Sequence, residues 1–281
     1  MVQGAQVLME NATIIRPRSK LRLNFKELKS YRELFFYFAW RDVKVRYKQS
    51  VLGIGWAILQ PFTMMVVFTL FFNKVAKVSS GSVPYAIFSY SGLLFWNYFS
   101  SALARSSASL VANQGVITKI YFPRIIAPIS ATIVALIDFC FAFLVFAGLM
   151  IYYHIAPGIA GLLFLVPAIL ITFIAASGLG MFLSAVNVKY RDVGQIVPFM
   201  IQIGLFLTPV IYPISLVPQR FQWILYLNPM TGVINAMRTW WLHQGTINTR
   251  LLGLSILSAL VLFIVGYIYF KSKEKEFADI I

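Results

Sequence analysis

The sequence predicts an all-α polytopic membrane protein: six transmembrane helices preceded by an amphipathic interface helix, with short re-entrant outer helices between spans five and six. Three observations predict it. The 281 residues are 59% hydrophobic and only 12% charged, against about 25% charged in soluble domains. The apolar residues gather in runs of about 20, the length that crosses some 30 Å of hydrocarbon. A basic, aromatic segment, RDVKVRYKQSVLGIGW (Arg41–Trp56), also leads straight into the first of these runs.

The predicted spans are Val51–Phe72, Pro84–Ala104, Ile125–Tyr153, Ile159–Val186, Ile196–Tyr212 and Leu251–Phe270. The third and fourth are long enough to tilt or to extend past the bilayer. Basic residues set the orientation, because Lys and Arg concentrate on the cytoplasmic side. With both termini inside, 19 of the 24 basic residues are cytoplasmic; only Lys74, Lys77, Arg220, Arg238 and Arg250 are outside. The net charge of +15 therefore belongs to membrane topology, and a nucleic-acid partner is not expected. The segment before Val51 is too polar and too long for the leading part of a cleaved signal. Cys140, the single cysteine, excludes an intrachain disulfide and a cysteine-paired metal site.

Ahead of the first span, residues 1–23 lack a clear period and read as a cytoplasmic arm. Residues 24–50 read as the interface helix. Leu28, Tyr31, Phe35 and Phe38 fall on one stripe, continued on a shifted one by Phe36, Trp40, Val43 and Tyr47. Arg41, Lys44 and Lys48 share another face, expected to meet anionic lipid. Asp42 and Arg46 are spaced for an i,i+4 pair. Ser50 is placed to cap the following helix, and Gly53 and Gly55 allow close packing at the bend. A simple topology anchor is the plainer reading of the same pattern.

Two inner loops differ in character. In the first, about 105–124, a short helix is expected from Ser106 or Ser107 through Gln114, ended by Gly115. The second, Asn187–Gly194, is short and of mixed charge. Both are ordinary connectors unless a partner docks on the inner face. The outer segment, about 213–250, contains Asn228–Pro229, a good helix start. The helix it starts would run to His243, with Gly245 as its stop, too short to cross the bilayer. Phe221–Leu227 would be its short partner. Residues 271–281 form a cytoplasmic tail.

No catalytic pattern appears. There is no phosphate-binding GxxxxGK[ST] loop, no HExxH and no GxSxG, so the chain does not read as an enzyme. Asp138 is the only acid inside a predicted span. A buried acid is costly and defaults to a functional hypothesis, here a proton-coupled carrier. A structural role, bonded to Ser or Thr of a neighbouring helix, is the competing reading. Polar stripes suggest channel-lining residues: Tyr85, Ser89 and Trp96 on one face of the second span, Asn97 on another, and Gln195 and Gln202 at the fifth. Packing through hydrogen bonds and small residues explains such stripes equally well.

Five motifs occur in order: YKQSVLGIGWAILQP (Tyr47–Pro61), ITKIYFPRIIAP (Ile117–Pro128), LIDF (Leu136–Phe139), NVKYRDVGQIVP (Asn187–Pro198), and TPVIYP with the later NP (Thr208–Pro213, Asn228–Pro229). Together they resemble the membrane subunit of ABC-2 type polysaccharide and polyol-phosphate exporters, over about Tyr31 to Phe270. That resemblance implies a channel-forming permease in the bacterial inner membrane. It implies a second copy of the chain and two copies of a separate cytoplasmic ATPase that binds ATP and Mg, so the chain itself would carry no cofactor. The cargo it implies is a lipid-linked polysaccharide, with O antigen favoured; a drug or lipid exporter of the same superfamily is the alternative. Ser107, Leu110, Asn113 and Gln114 would then belong to a helix that couples to the ATPase, with Tyr190, Arg191 and Asp192 beside it. Trp40, Arg41, Lys44, Tyr47, Lys48 and Gly53 would form the interface helix and its junction.

Overall fold

The computed structural model describes residues 30–48, 53, 55–78 and 81–277. The arm, the start of the interface helix, Ser50, the side chains of Arg46 and Tyr47, and the last residues of the tail lie outside them. The described residues form helices and connectors, with no strand among them. The helices are α1 (Arg32–Lys48), α2 (Gly55–Phe68), α3 (Tyr85–Ala112), α4 (Gln114–Ile117), α5 (Ile126–Tyr152), α6 (Ile159–Lys189), α7 (Val193–Leu207), α8 (Gln219–Tyr226), α9 (Pro229–Leu242) and α10 (Thr249–Lys273). A π-helical stretch, Thr69–Val75, continues α2.

Among the described residues, four helices are long and apolar enough to cross a membrane: Gly55–Val75, Ile126–Tyr152, Ile159–Lys189 and Thr249–Lys273. This is fewer than the six spans expected. Two reasons account for the difference. Helix α3 has ample length at 28 residues, but it is polar. Most of its residues are buried by neighbouring helices, so it needs no continuous apolar surface against lipid. Helix α7 is apolar but has only 15 residues, because Thr208 and Pro209 end it before the expected Tyr212. Pro209 disfavours a helical conformation in the residue before it.

Local chemistry explains several boundaries. Asn228 caps α9 by accepting from the Met230 N–H at 3.0 Å, and Pro229 occupies the first turn. Asn248 caps α10 by accepting from the N–H groups of Arg250 and Leu251. Each satisfies backbone donors that a helix start leaves without partners. His243 closes α9 in a left-handed conformation, φ 54°.

Helix α3 is the centre of the molecule, flanked by α2, α5, α6, α7 and α9; α10 packs along α6. At the α6–α10 crossing a Cβ on Gly266 would collide with the carbonyl of Gly178. Both glycines are thus required for the backbones to meet. The main core joins Tyr90, Phe95, Phe139, Phe146 and Trp241. A second cluster lies at the end of the bundle that is expected, from its basic residues, to be cytoplasmic. It gathers Phe38 from α1, Leu110 from α3, Phe122 from the first inner loop, Val188 from α6, and Phe270 and Phe277 from the C-terminal end.

Candidate functional site

The first inner loop does not contain the separate helix expected at Ser106 or Ser107. Helix α3 runs unbroken to Ala112, because no Gly or Pro falls between Ala104 and Ala112 and the serines there do not act as caps. Ser107 and Ser109 instead donate to the carbonyls of Ala104 and Ser106, three residues back, at 2.9 and 2.7 Å. The break falls at Asn113 (φ −106°, ψ 16°), followed by the single turn α4.

Asn113 is the node of this end. Its Oδ1 accepts from Arg41 Nη2 at 2.6 Å, and its Nδ2 donates to the Ser109 carbonyl at 2.7 Å. The same Arg41 nitrogen is 2.7 Å from Asp42, and the guanidinium sits 5.1 Å from the centroid of Phe38. Phe38 is 1% exposed and packs on Phe122 with ring centroids 5.5 Å apart. So Arg41, expected to face lipid headgroups, is turned into the protein. Asp42 is held by Arg41, its immediate neighbour; the expected pair with Arg46 lies outside the described residues. Trp40, Lys44 and Lys48 are exposed, which leaves α1 with one face on the bundle and one outside. Phe36 lies parallel to Trp40, with ring centroids 6.3 Å apart.

The remaining inner-face residues divide into buried and presented groups. Ser107 and Leu110 are buried, and the Ser107 carbonyl accepts from Asn187 Nδ2 at 3.1 Å. This ties the end of α3 to the end of α6. Ala112, Gln114, Tyr190, Arg191 and Asp192 are exposed. Two residues that sequence reasoning passed over join them: Ile120 and Tyr121, the latter 78% exposed. An apolar pair exposed in a basic loop was the available signal. Arg124 and the C-terminal end brace this face, with the Arg124 N–H and guanidinium both donating to Glu274.

Of the polar stripe on α3, Tyr85, Ser89 and Trp96 are buried within the chain. The Tyr85 hydroxyl donates to the Ile211 carbonyl at 2.6 Å, and Ser89 to the Ala86 carbonyl. Trp96 lies against Gly204 of α7. Asn97 is half-buried, and Gln195 and Gln202 are exposed.

Asp138 faces Arg105, with Oδ2 3.6 Å from Nη2. The sequence offered a Ser or Thr of a neighbouring helix as its partner; Arg105 was not foreseen. Arg105 was assigned to a loop, but α3 carries it as helix past the predicted end of the span, within reach of the acid on α5. The outer end has its own buried cation, Arg238 of α9, 4% exposed. It donates to the carbonyls of Pro209 (2.6 Å), Val210 (2.5 Å) and Phe88 (3.2 Å), and its guanidinium lies 3.6 Å from the centroid of Phe88. Sequence reasoning counted Arg238 only as an outer charge. Among the described residues, no cluster of three or more His, Cys, Asp and Glu could hold a metal ion.

Comparison with known proteins places this arrangement. A profile of the "ABC-2 type transporter" family matches residues 33–241. The chain is 30% identical over 258 residues to an O-antigen export system permease protein, RfbA, of Myxococcus xanthus, covering 90% of this chain and 97% of that one. It is 28% identical over 246 residues to an RfbA of Klebsiella pneumoniae (86% and 92% covered). It is 24% identical over 202 residues to the polysialic acid transport protein KpsM of Escherichia coli (70% and 77% covered). The family profile runs from the helix bearing Arg41 to the aromatic end of α9, so the Arg41–Asn113 node and the Arg238 clasp both lie within the matched region. With its long apolar helices this is a multi-pass membrane protein, and the chain belongs to the ABC-2 type transporter family.

Proposed function

We propose that the chain is the channel-forming permease subunit of an ATP-driven exporter that moves a lipid-linked polysaccharide, O antigen in the favoured case, across the bacterial cytoplasmic membrane. The observation that carries this reading is the similarity to O-antigen export permeases over nine-tenths of the chain. In this reading two copies form the channel, each with six spans and both termini in the cytoplasm. Helix α3 and α7 with its following turn supply the second and fifth spans, and α8 and α9 are the re-entrant outer helices.

Two copies of a separate ATPase bind ATP and Mg and do the hydrolysis. They dock where Ala112, Gln114, Tyr121 and Tyr190 are presented together on the inner face. Exposed aromatic side chains in loops that also carry the exposed Lys119 and Arg191 suit a protein partner, because aromatic anchors dominate interface energetics. A movement delivered there reaches α1 through Arg41–Asn113 and α6 through Ser107–Asn187.

Deletion of the gene tests the function. It is expected to leave lipid-linked polymer trapped inside the cell, and normal polymer on the surface of the deletion strain would overturn the proposal. A drug or lipid exporter would instead show drug sensitivity with an intact surface glycan.

A further inference from the structure

The first inner loop ends in the motif YFPR (Tyr121–Arg124), whose arginine the routes through Arg41–Asn113 and Ser107–Asn187 do not use. In the structure this arginine joins two helix ends 150 positions apart in the chain. The Arg124 N–H, just ahead of α5, donates to Glu274 Oε1 at 3.1 Å, and the Arg124 guanidinium donates to the Glu274 carbonyl, just past α10. The second carboxylate oxygen of Glu274 is held by Lys271 Nζ at 2.6 Å. Each helix end thus receives the charge that its dipole favours: a carboxylate at the start of α5 and a guanidinium at the end of α10. Phe277, 1% exposed, closes the joint. Its ring centroid lies 5.2 Å from that of Phe270 and 6.0 Å from the Arg124 guanidinium. Phe122, two residues before Arg124, is fixed on Phe38 of α1. The exposed tip Ile120–Tyr121 therefore stands on a base tied to α1 on one side and to α10 on the other.

We propose that Arg124 and Glu274 are positioning residues for coupling: they carry movement of the Ile120–Tyr121 tip, delivered by the ATPase, into α10. The proposal rests on the exporter reading and adds a third route to it. Both bonds are charge-assisted, and such bonds are stronger than neutral ones. One runs from main chain to side chain and the other from side chain to main chain. Together they fix the direction of the joint as well as its position, where a single ion pair would leave a swivel. Helix α10 packs along α6, and their backbones meet at Gly178 and Gly266. A displacement of the joint thus reaches α6 along its length, by a path that passes through neither Asn113 nor Asn187. Bracing the fold is the competing role. The packing of Phe277 on Phe270 serves that purpose by itself; the polar pair adds a directed link between an exposed tip and a long apolar helix.

The test measures surface polymer on host cells carrying single variants, and ATP hydrolysis by the complex purified from the same cells. Arg124→Ala and Glu274→Ala are each expected to keep the copurifying ATPase and its hydrolysis near the wild-type level, because Ala112, Gln114 and Tyr190 still present the docking surface. Polymer exported per ATP hydrolysed is expected to fall roughly tenfold, which corresponds to about 1.4 kcal/mol. Arg124→Lys keeps a cation at the end of α10, and Glu274→Gln keeps an acceptor for the Arg124 N–H; both are expected to give intermediate ratios. A brace alone predicts less chain in the membrane with an unchanged ratio, and that outcome overturns the proposal, as does a wild-type ratio at wild-type accumulation. If the alanine variants do not accumulate, Arg124→Lys and Glu274→Gln decide, and a wild-type ratio in both overturns it. With trapped polymer in the deletion strain, such results remove only the positioning role. Absence of trapped polymer, or of any ATPase with the wild-type chain, fails the exporter reading itself.

Discussion

Arg41 and Asn113 stand 72 positions apart in the chain, and their side chains share a 2.6 Å hydrogen bond that joins the first described helix to the break at the end of α3. The same arginine lies on Phe38 and contacts Asp42, so its orientation is fixed from three sides. The Arg41→Ala and Asn113→Ala variants are each expected to reduce export sharply while costing about 0.5–1.5 kcal/mol of stability, the net worth of one such bond in a partly exposed site. The double variant should be no worse than either single one, since both remove the same link. Additive export losses in that cycle would show that the two residues act separately.

Arg238 is the counterpart at the outer end. It ties the segment after α7 to α3 through the carbonyls of Pro209, Val210 and Phe88. An arginine fits because its planar fork reaches several acceptors at once and stacks on an aromatic ring; a lysine is a point charge. Arg238→Leu leaves those carbonyls without their donor, at about 1–3 kcal/mol each. The expected outcome is a lower melting temperature and greater protease sensitivity between Thr208 and Arg220, with Arg238→Lys intermediate. A melting curve like wild type in Arg238→Leu would refute the clasp.

Much of this fold was legible in the residues, and the failures have a common cause. The third, fourth and sixth apolar runs match α5, α6 and α10 within a few positions. Each is bounded by Pro, Gly or charge that a lipid-facing helix cannot carry inward. Asn228–Pro229 marked α9 because a cap is a local event. The second span ended too early because Arg105 looked like a boundary, whereas a helix among helices can carry a charge to a partner. Arg105–Asp138, Arg41–Asn113 and Arg238 with its carbonyls all depend on elements distant in sequence. Backbone acceptors at Pro209 and Val210 leave no trace in a side-chain pattern.

The Asp138–Arg105 pair bears on the proton-carrier alternative. Asp138 Oδ2 lies 3.6 Å from Arg105 Nη2, an ion pair between α5 and α3 that gives the acid a structural role. Asp138→Asn is expected to retain most export, and a protonophore is expected not to stop export while cellular ATP is maintained. Export that collapses with the proton gradient, in the presence of ATP, would restore the carrier mechanism.

Ala112 is the last residue of α3 and is exposed beside the Asn113 break. A carboxylate at this helix C-terminus opposes the helix dipole, a penalty of about 0.3–1 kcal/mol. It also adds bulk where the ATPase is proposed to dock. Ala112→Glu is expected to insert normally but to lose most export and to copurify with less ATPase. Export at the wild-type level, with the ATPase still bound, would move the docking surface elsewhere.

Gly53 governs the turn from α1 into α2. Its φ is 50°, and its carbonyl accepts from the Trp56 N–H at 3.4 Å. A left-handed backbone costs an ordinary L residue roughly 1–2 kcal/mol, less for Asn, and proline cannot adopt it because its ring fixes φ near −65°. Gly53→Asn is therefore expected to export nearly as well as wild type, and Gly53→Ala somewhat less. Gly53→Pro is expected to abolish export while the chain still accumulates in the membrane fraction, because the apolar helices that follow do not depend on the turn. The graded series separates the turn's geometry from mere anchoring. An anchor needs only the basic residues of α1, and would let Gly53→Pro export as well as Gly53→Asn.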